Sequence, residues 1–173
     1  MLMSANAPTP PAPPVSAPAA ILPPSPPPAP PHPGPELLAR TKIPFQVVDH
    51  ALKGYHLDAT VAADTVPEVA AELDREGFAI DTITGVDWLA AGSMEVVYDF
   101  FYSRSALRIV IRTRISRDNP ELPSISSIFP GANWHERETH DFFGIRFIGH
   151  PDLSPFLLPE DATYHPLRKD FAA

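Results

Sequence analysis

Met94-Glu-Val-Val-Tyr-Asp-Phe-Phe-Tyr102, the turn Ser103-Arg-Ser105 and Ala106-Leu-Arg-Ile-Val-Ile-Arg-Thr-Arg-Ile115 form the strongest hairpin pattern in the chain. In its second arm Leu107, Ile109, Ile111, Thr113 and Ile115 fall on one side, and Arg108, Val110, Arg112 and Arg114 on the other. Strict period two marks a half-buried antiparallel strand, because successive side chains alternate between the two faces of a sheet. The arginine side is expected to be a solvated face. Its sharper alternative is an RNA- or phosphate-binding module that reads phosphates through Arg108, Arg112 and Arg114.

Outward from the hairpin, the segment from Phe78 to Leu89 predicts a strand that carries Asp87-Trp88 at its end. Phe45-Gln-Val-Val48 and Tyr55-His-Leu-Asp-Ala-Thr-Val61 predict two more. Between them and the Phe78 strand, Thr65-Val-Pro-Glu-Val-Ala-Ala-Glu-Leu-Asp-Arg-Glu-Gly77 reads as a helix. Thr65 and Glu68 have capping-box spacing, and Pro67 sits in the first turn, where its missing amide costs little. Val66, Val69, Ala70 and Leu73 share a face, and Gly77 supplies a left-handed end. The expected fold class is α+β: a two-layer arrangement in which a mixed sheet over residues 43–115 has helices packed on one face.

Three regions follow from composition. Residues 1–40 are a Pro/Ala-rich tail; fifteen of the 24 prolines fall between Pro8 and Pro35, a stretch with no Asp, Glu, Lys or Arg. Proline lacks an amide donor and favours extended polyproline geometry, so this tail is expected to stay disordered. Residues 41–149 have ordinary globular composition, and 150–173 are expected to be an extended, partner-binding arm. A net charge of -8 speaks against a general nucleic-acid binder. The absence of cysteine removes disulfides, thiolate-held clusters and a cysteine nucleophile from this chain. No leader and no apolar run near the roughly 20 residues of a membrane span is evident, so the expectation is a soluble, cytoplasmic protein that meets a membrane only through partners.

The chemistry-bearing stretch is Trp134-His-Glu-Arg-Glu-Thr-His-Asp-Phe-Phe-Gly-Ile-Arg-Phe-Ile-Gly-His-Pro-Asp-Leu153, in which every residue from His135 to Asp141 except Thr139 is ionisable. Asn133 is the expected N-cap of a helix that stops at Gly144, with Glu136 and Glu138 in its first turn. A helix charged nearly all round must be answered by ion pairs or buried against partners. The expected answer is an ion-pair network in which Arg137 serves Glu136, Glu138 and Asp141. His135 and His140 stand five apart, about 500° round the axis, and so miss the one-face spacing of a zinc-protease helix. No phosphate-binding glycine loop and no serine elbow occurs. Pro120 and Pro123 are expected to end the sheet region, and Ser124–Phe129 to form a short helical turn. Beyond Gly149, Leu153, Phe156, Leu157, Leu158, Leu167 and Phe171 follow no period. So many apolar groups on irregular backbone should lie on a surface that buries them.

Glu136-Arg-Glu-x-x-Asp-Phe-Phe-Gly-Ile-x-Phe-x-Gly-His-Pro-Asp-Leu153, Leu158-Pro-Glu-Asp161 and His165-Pro-Leu-Arg-Lys-Asp-Phe171 resemble the signature of the 30-kDa subunit of respiratory complex I, the C subunit of bacterial NADH-quinone oxidoreductase. The match is dense over 124–171 and looser over 60–115. Ser154 and Phe156 stand where the family usually has a basic residue or proline and an aliphatic residue. The resemblance implies a non-catalytic peripheral-arm subunit with no cofactor of its own. It implies docking on the large quinone-site (49-kDa-type) subunit beside a cluster-bearing small subunit, with FMN, iron–sulfur clusters and quinone held by partners. It carries over Glu136, Arg137, Glu138, Asp141, Gly144, His150, Pro151, Asp152, Pro166, Leu167, Arg168 and Lys169 as interface or structural positions, and none as catalytic or metal-binding. A homologous subunit of a group 4 membrane-bound [NiFe] hydrogenase or formate hydrogenlyase, where the large subunit holds the NiFe centre, is the alternative.

Overall fold

The computed structural model describes residues 43–172; the Pro/Ala-rich tail lies outside the described residues. Strands β1 (Gln46–Val47), β2 (Leu57–Thr60), β3 (Ala79–Trp88), β4 (Ser93–Tyr102) and β5 (Leu107–Ser116) make one sheet in the order β1-β2-β5-β4-β3. Only β2 and β5 run parallel; the other neighbours are antiparallel, which is the expected mixed sheet. The 93–116 hairpin is its centre, paired without a register break from Ser93↔Ser116 to Tyr102↔Leu107. Its turn is wider than the sequence suggested, because Ala106 takes the left-handed region (φ 53°) and stays out of β5.

Met94, Val96, Tyr98 and Phe100 of β4 meet Leu107, Ile109, Ile111 and Ile115 of β5 in the core, as the alternation requires. Helix α1 (His50–Lys53) is a single turn on the surface. Helix α2 (Val66–Arg75) lays Val66, Val69, Ala70 and Leu73 on the same core. Burying each Val or Leu there is worth roughly 1.5–3 kcal/mol against leaving it in water. Helix α3 (Ala132–Phe143) packs beside β3, contributing Ala132 and Phe143. The Phe143 ring lies so close to Gly85 that a Cβ there would sit 2.6 Å from it. One face of the sheet is therefore covered and the other open, with residues 149–172 lacking helix or strand.

Four local expectations are corrected. Thr65 holds the N-cap position of α2 but makes no capping bond: a 3₁₀ turn (Ala63–Thr65) runs straight into the helix, so Thr65 already has helical dihedrals and its hydroxyl donates to Asp64 at 3.3 Å. The end at Gly77 (φ 85°) is as expected, with Phe78 N–H reaching Leu73 C=O at 3.0 Å. Asn133 is not the cap of α3 either, because the turn before it supplies carbonyls to Ala132 and Asn133 N–H and starts the helix earlier. That leaves Glu136 and Glu138 beyond the first turn, where the dipole argument does not reach. Finally, Pro120 and Pro123 do not end the sheet structure. Glu121–Pro123 is a strand, β6, that pairs in parallel with β7 (Arg146–Ile148) in a second, two-stranded sheet.

Candidate interaction site

The charges of α3 are not paired with one another. Among the described residues the expected network around Arg137 does not form, because Glu136, Arg137 and Asp141 are directed to the neighbouring loops, mostly to their main chain. Glu136 is fully buried and accepts from Ser124 Oγ at 2.5 Å and Ile125 N–H at 2.8 Å, which pins the turn before α3. Burial raises its carboxyl to about 7 against the pull of those two donors. The Arg137 guanidinium donates to Ser154 C=O (3.1 and 3.2 Å), Ser154 Oγ (3.2 Å) and Pro155 C=O (3.1 Å). It also lies against the rings of Trp134 and Phe156, which themselves pack at 4.9 Å. His140 Nδ1 donates to Ile145 C=O at 2.9 Å. Asp141 Oδ2 gathers three successive N–H groups, from Phe156, Leu157 and Leu158, at 2.9, 2.7 and 3.2 Å. Burial alone would raise this carboxyl, but the three donors outweigh it and hold its pKa below the ordinary value. Glu138 alone of the helix acids is exposed, with no partner among the described residues.

The arm returns to close the other end of the helix. An α-helix leaves its last four carbonyls unpaired, and here all four are answered. Gly144 N–H takes His140 C=O (2.8 Å), His165 Nδ1 takes Asp141 C=O (2.8 Å), Leu167 N–H takes Phe142 C=O (3.1 Å) and Arg168 Nε takes Phe143 C=O (2.7 Å). Gly144 (φ 72°) is required twice over, since a Cβ would also fall 2.5 Å from His165 and 2.7 Å from Arg168. Lys169 contributes through its N–H, which donates to Asp87 Oδ2 at 2.8 Å. Asp87 is held by Arg117 Nε and Nη2 (2.9 and 3.1 Å), and Arg117 reaches on to Asp170 at 2.5 Å. That guanidinium keeps Asp87 below the usual carboxylate range. Sequence reading missed Asp87 and Arg117. The available signal was that Asp87 shares its face of β3 with the buried Ile83 and Gly85, and an acid on a core face demands a partner.

The remaining signature positions are structural supports. His150 has a buried side chain whose Nδ1 accepts from Asp152 N–H (3.0 Å), so its Nε2–H points to Asn133 C=O (3.3 Å). Burial lowers its pKa and favours the neutral ring. Asp152 receives Ser154 N–H at 2.8 Å, while Pro151 is exposed and Pro166 half-buried. No group of three or more His, Asp or Glu side chains among the described residues could hold a metal ion.

This scheme fixes the arm by its backbone and leaves its apolar side chains outward. Leu157 is 52% exposed, Leu167 51% and Trp134 55%, with Phe156, Tyr164 and Phe171 also exposed. The open face of the sheet is the reverse. Arg108 pairs with Asp81 and Asp99, Arg112 with Asp58 (3.1 Å) and Tyr55 (3.1 Å), and Arg114 with Glu95 (3.5 Å) while lying over Trp88. Four carboxylates thus answer three guanidiniums. No helix among the described residues is long and apolar enough to cross a membrane.

The family model described as "Respiratory-chain NADH dehydrogenase, 30 Kd subunit" matches residues 59–173. The C subunit of NADH-quinone oxidoreductase from Roseiflexus castenholzii is 47% identical over 92 residues, 53% of this chain and 53% of that protein. The Salinispora tropica protein of the same name is 35% identical over 127 residues, 72% of this chain and 52% of the relative. The C subunit of F(420)H(2) dehydrogenase from Methanosarcina mazei is 38% identical over 91 residues, 52% of this chain and 58% of that protein. The chain thus spans little more than half the length of these relatives. A chain of the membrane-bound sulfane sulfur reductase, an archaeal respiratory membrane complex, superposes with a TM-score of 0.72 at 27% identity, covering 80% of this chain and 83% of that one. A trypsin-resistant fragment of Nqo5 gives 0.55 at 28% identity, over 69% and 95%.

Proposed function

Because the chain belongs to the family of the 30-kDa subunit of respiratory-chain NADH dehydrogenase, we propose that it serves as the non-catalytic C subunit of a proton-translocating NADH:quinone oxidoreductase. In this reading it docks on the large quinone-site subunit and touches the cluster-bearing small subunit. It holds no redox centre itself; FMN, iron–sulfur clusters and quinone belong to its neighbours. It lies on the cytoplasmic side of the membrane and reaches the membrane only through the complex.

The observation that carries the docking role is the arm. Arg137, Asp141 and the end of α3 fix its main chain, while Phe156, Leu157 and Leu167 face solvent. Ordering irregular backbone costs roughly 1–2 kcal/mol per residue. A monomer gains little from that order if the apolar side chains stay wet, whereas a partner that covers them offsets the cost. The interface positions inferred from the signature are then mostly indirect: Glu136, Asp141, Gly144, His150 and Arg168 shape the surface, and Trp134, Phe156, Leu157 and Leu167 present it.

A second reading is a kindred membrane-bound complex, including the hydrogenase or formate hydrogenlyase type with a NiFe centre in the large subunit. The similarity to a sulfane sulfur reductase chain over four-fifths of both molecules favours keeping it. One experiment separates the two. The full chain, tagged and isolated with its native membranes, is expected to co-purify with a large subunit and an FMN-bearing NADH module. A nickel-containing large subunit would replace the first reading with the second, and recovery as a lone monomer would overturn both.

A further inference from the structure

Between α3 and the outer strand β3 runs a slot of about 210 Å³, bordered by Thr82, Thr84 and Gly85 on one side and Glu138, Phe142 and Leu167 on the other. β3 is the edge of the five-stranded sheet. Ile83 turns its carbonyl to that edge, since Thr139 Oγ1 reaches it at 3.4 Å. Peptide groups alternate sides along a strand, so Gly85, two residues on, points its carbonyl the same way. No backbone bond outside the ladder reaches Gly85 among the described residues. At the rim stands Glu138, the one acid of α3 without a partner among them. The slot thus has apolar walls from Phe142 and Leu167, the outward carbonyls of β3 along its floor, and a carboxylate at its mouth. Glu138 stands one helical turn from the exposed Trp134 on the same side of α3, so the slot opens into the surface that Trp134 and the arm present.

We infer that this slot receives a single basic side chain, arginine or lysine, from the neighbour that covers α3 and the arm. The fit is one of chemistry. A long aliphatic stem can lie along Phe142 and Leu167 while its charged head meets Glu138 and the acceptors of β3. Neither an acidic nor a purely apolar side chain would answer Glu138, and covering that carboxylate without a cation would leave a buried charge unpaired. The inference rests on the docking reading above, and it names the chemistry that the docked neighbour presents at this point.

The test uses the full chain, tagged and recovered from native membranes, with the yield of co-purifying subunits as readout. Glu138→Lys is expected to lower that yield at least tenfold. Glu138→Gln, which removes the charge and keeps the shape, is expected to lower it severalfold. Glu68→Lys, an equal change of charge at an exposed position of α2, is expected to leave it unaltered. Circular dichroism of each purified variant should match the parent, because Glu138 and Glu68 are both exposed. Undiminished yield with Glu138→Lys, or equal losses with Glu138→Lys and Glu68→Lys, would overturn the inference and leave the docking reading standing. Failure of the unaltered chain to bring down any subunit would overturn both.

Discussion

The two surfaces of the domain use their charges differently. On the open sheet face, side chain meets side chain: each arginine of β5 is matched by one or two carboxylates from other strands of the sheet. On α3, side chain mostly meets main chain: Glu136, Arg137 and Asp141 are directed at peptide groups of the 124–125 turn and the 154–158 arm, with the Ser124 and Ser154 hydroxyls beside them. The first arrangement closes a surface, since partners already present satisfy it. The second builds a surface, because it fixes irregular backbone that has no ladder of its own and frees the apolar side chains to face outward. Both regions are rich in charge; what differs is which groups the charges answer.

Glu136 offers the hardest test of this contrast. In Glu136→Ala, Ile125 N–H loses its acceptor inside the protein, at about 1–3 kcal/mol for the buried orphan, while Ser124 Oγ keeps Ser126 Oγ at 2.8 Å. A chemical-denaturation midpoint that moved by only a small fraction of that would show that the helix charges are decorative. The pH profile sharpens the point. The folded carboxyl is raised from 4.5 to about 7, so the native state binds the proton more tightly than the unfolded chain. Its contribution to stability is therefore fully present below pH 4.5 and lost as pH rises to about 7. His150, lowered from its ordinary 6.5, contributes in the opposite sense where the windows overlap. The stability difference between the parent and Glu136→Gln, which leaves His150 in place, should accordingly decline between about pH 4.5 and 7. A flat difference would place the Glu136 carboxyl near its ordinary value.

Arg137 should matter less to the fold and more to the arm. Had it answered a buried acid, truncation would have left that acid unpaired, at about 3–5 kcal/mol in a dry site. It answers Ser154 and Pro155 carbonyls instead, so Arg137→Ala should release only local order, about 1–2 kcal/mol. Hydrogen exchange should rise at residues 154–158 and stay unchanged in β4 and β5. Protection lost across the whole domain would mean that the arm and the sheet form one cooperative unit.

What could be read from the sequence follows the range of the interactions. The hairpin and α2 were legible because Leu107 to Ile115, and Val66 to Leu73, repeat at the period of their own backbone. β6 and β7 were not, since three residues carry no period and their pairing joins Glu121 to Arg146 across the whole of α3. The caps at Thr65 and Asn133 failed for a related reason: preceding turns had already supplied helical geometry and carbonyls, so the side-chain devices had nothing left to satisfy. Of the candidate interface, the family signature located the residues but not their targets. A carboxylate at Asp141 looks the same in sequence whether it takes a guanidinium or three amides.

The smallest effects belong to the open face. Arg108 and Arg112 are partly exposed and meet their acids near solvent, where screening and side-chain entropy consume most of the Coulomb gain. Arg108→Ala and Arg112→Ala should each cost about 1 kcal/mol or less. Neither should change association with single-stranded RNA, because Arg108, Arg112 and Arg114 cannot take a phosphate without giving up a carboxylate. The four acids around the three arginines would also repel the backbone of the nucleic acid. Filter binding at low salt decides this. Tight retention of RNA by the parent, abolished by Arg112→Ala, would mean that the pairs open on demand, and the division between a closed surface and a presented one would fall.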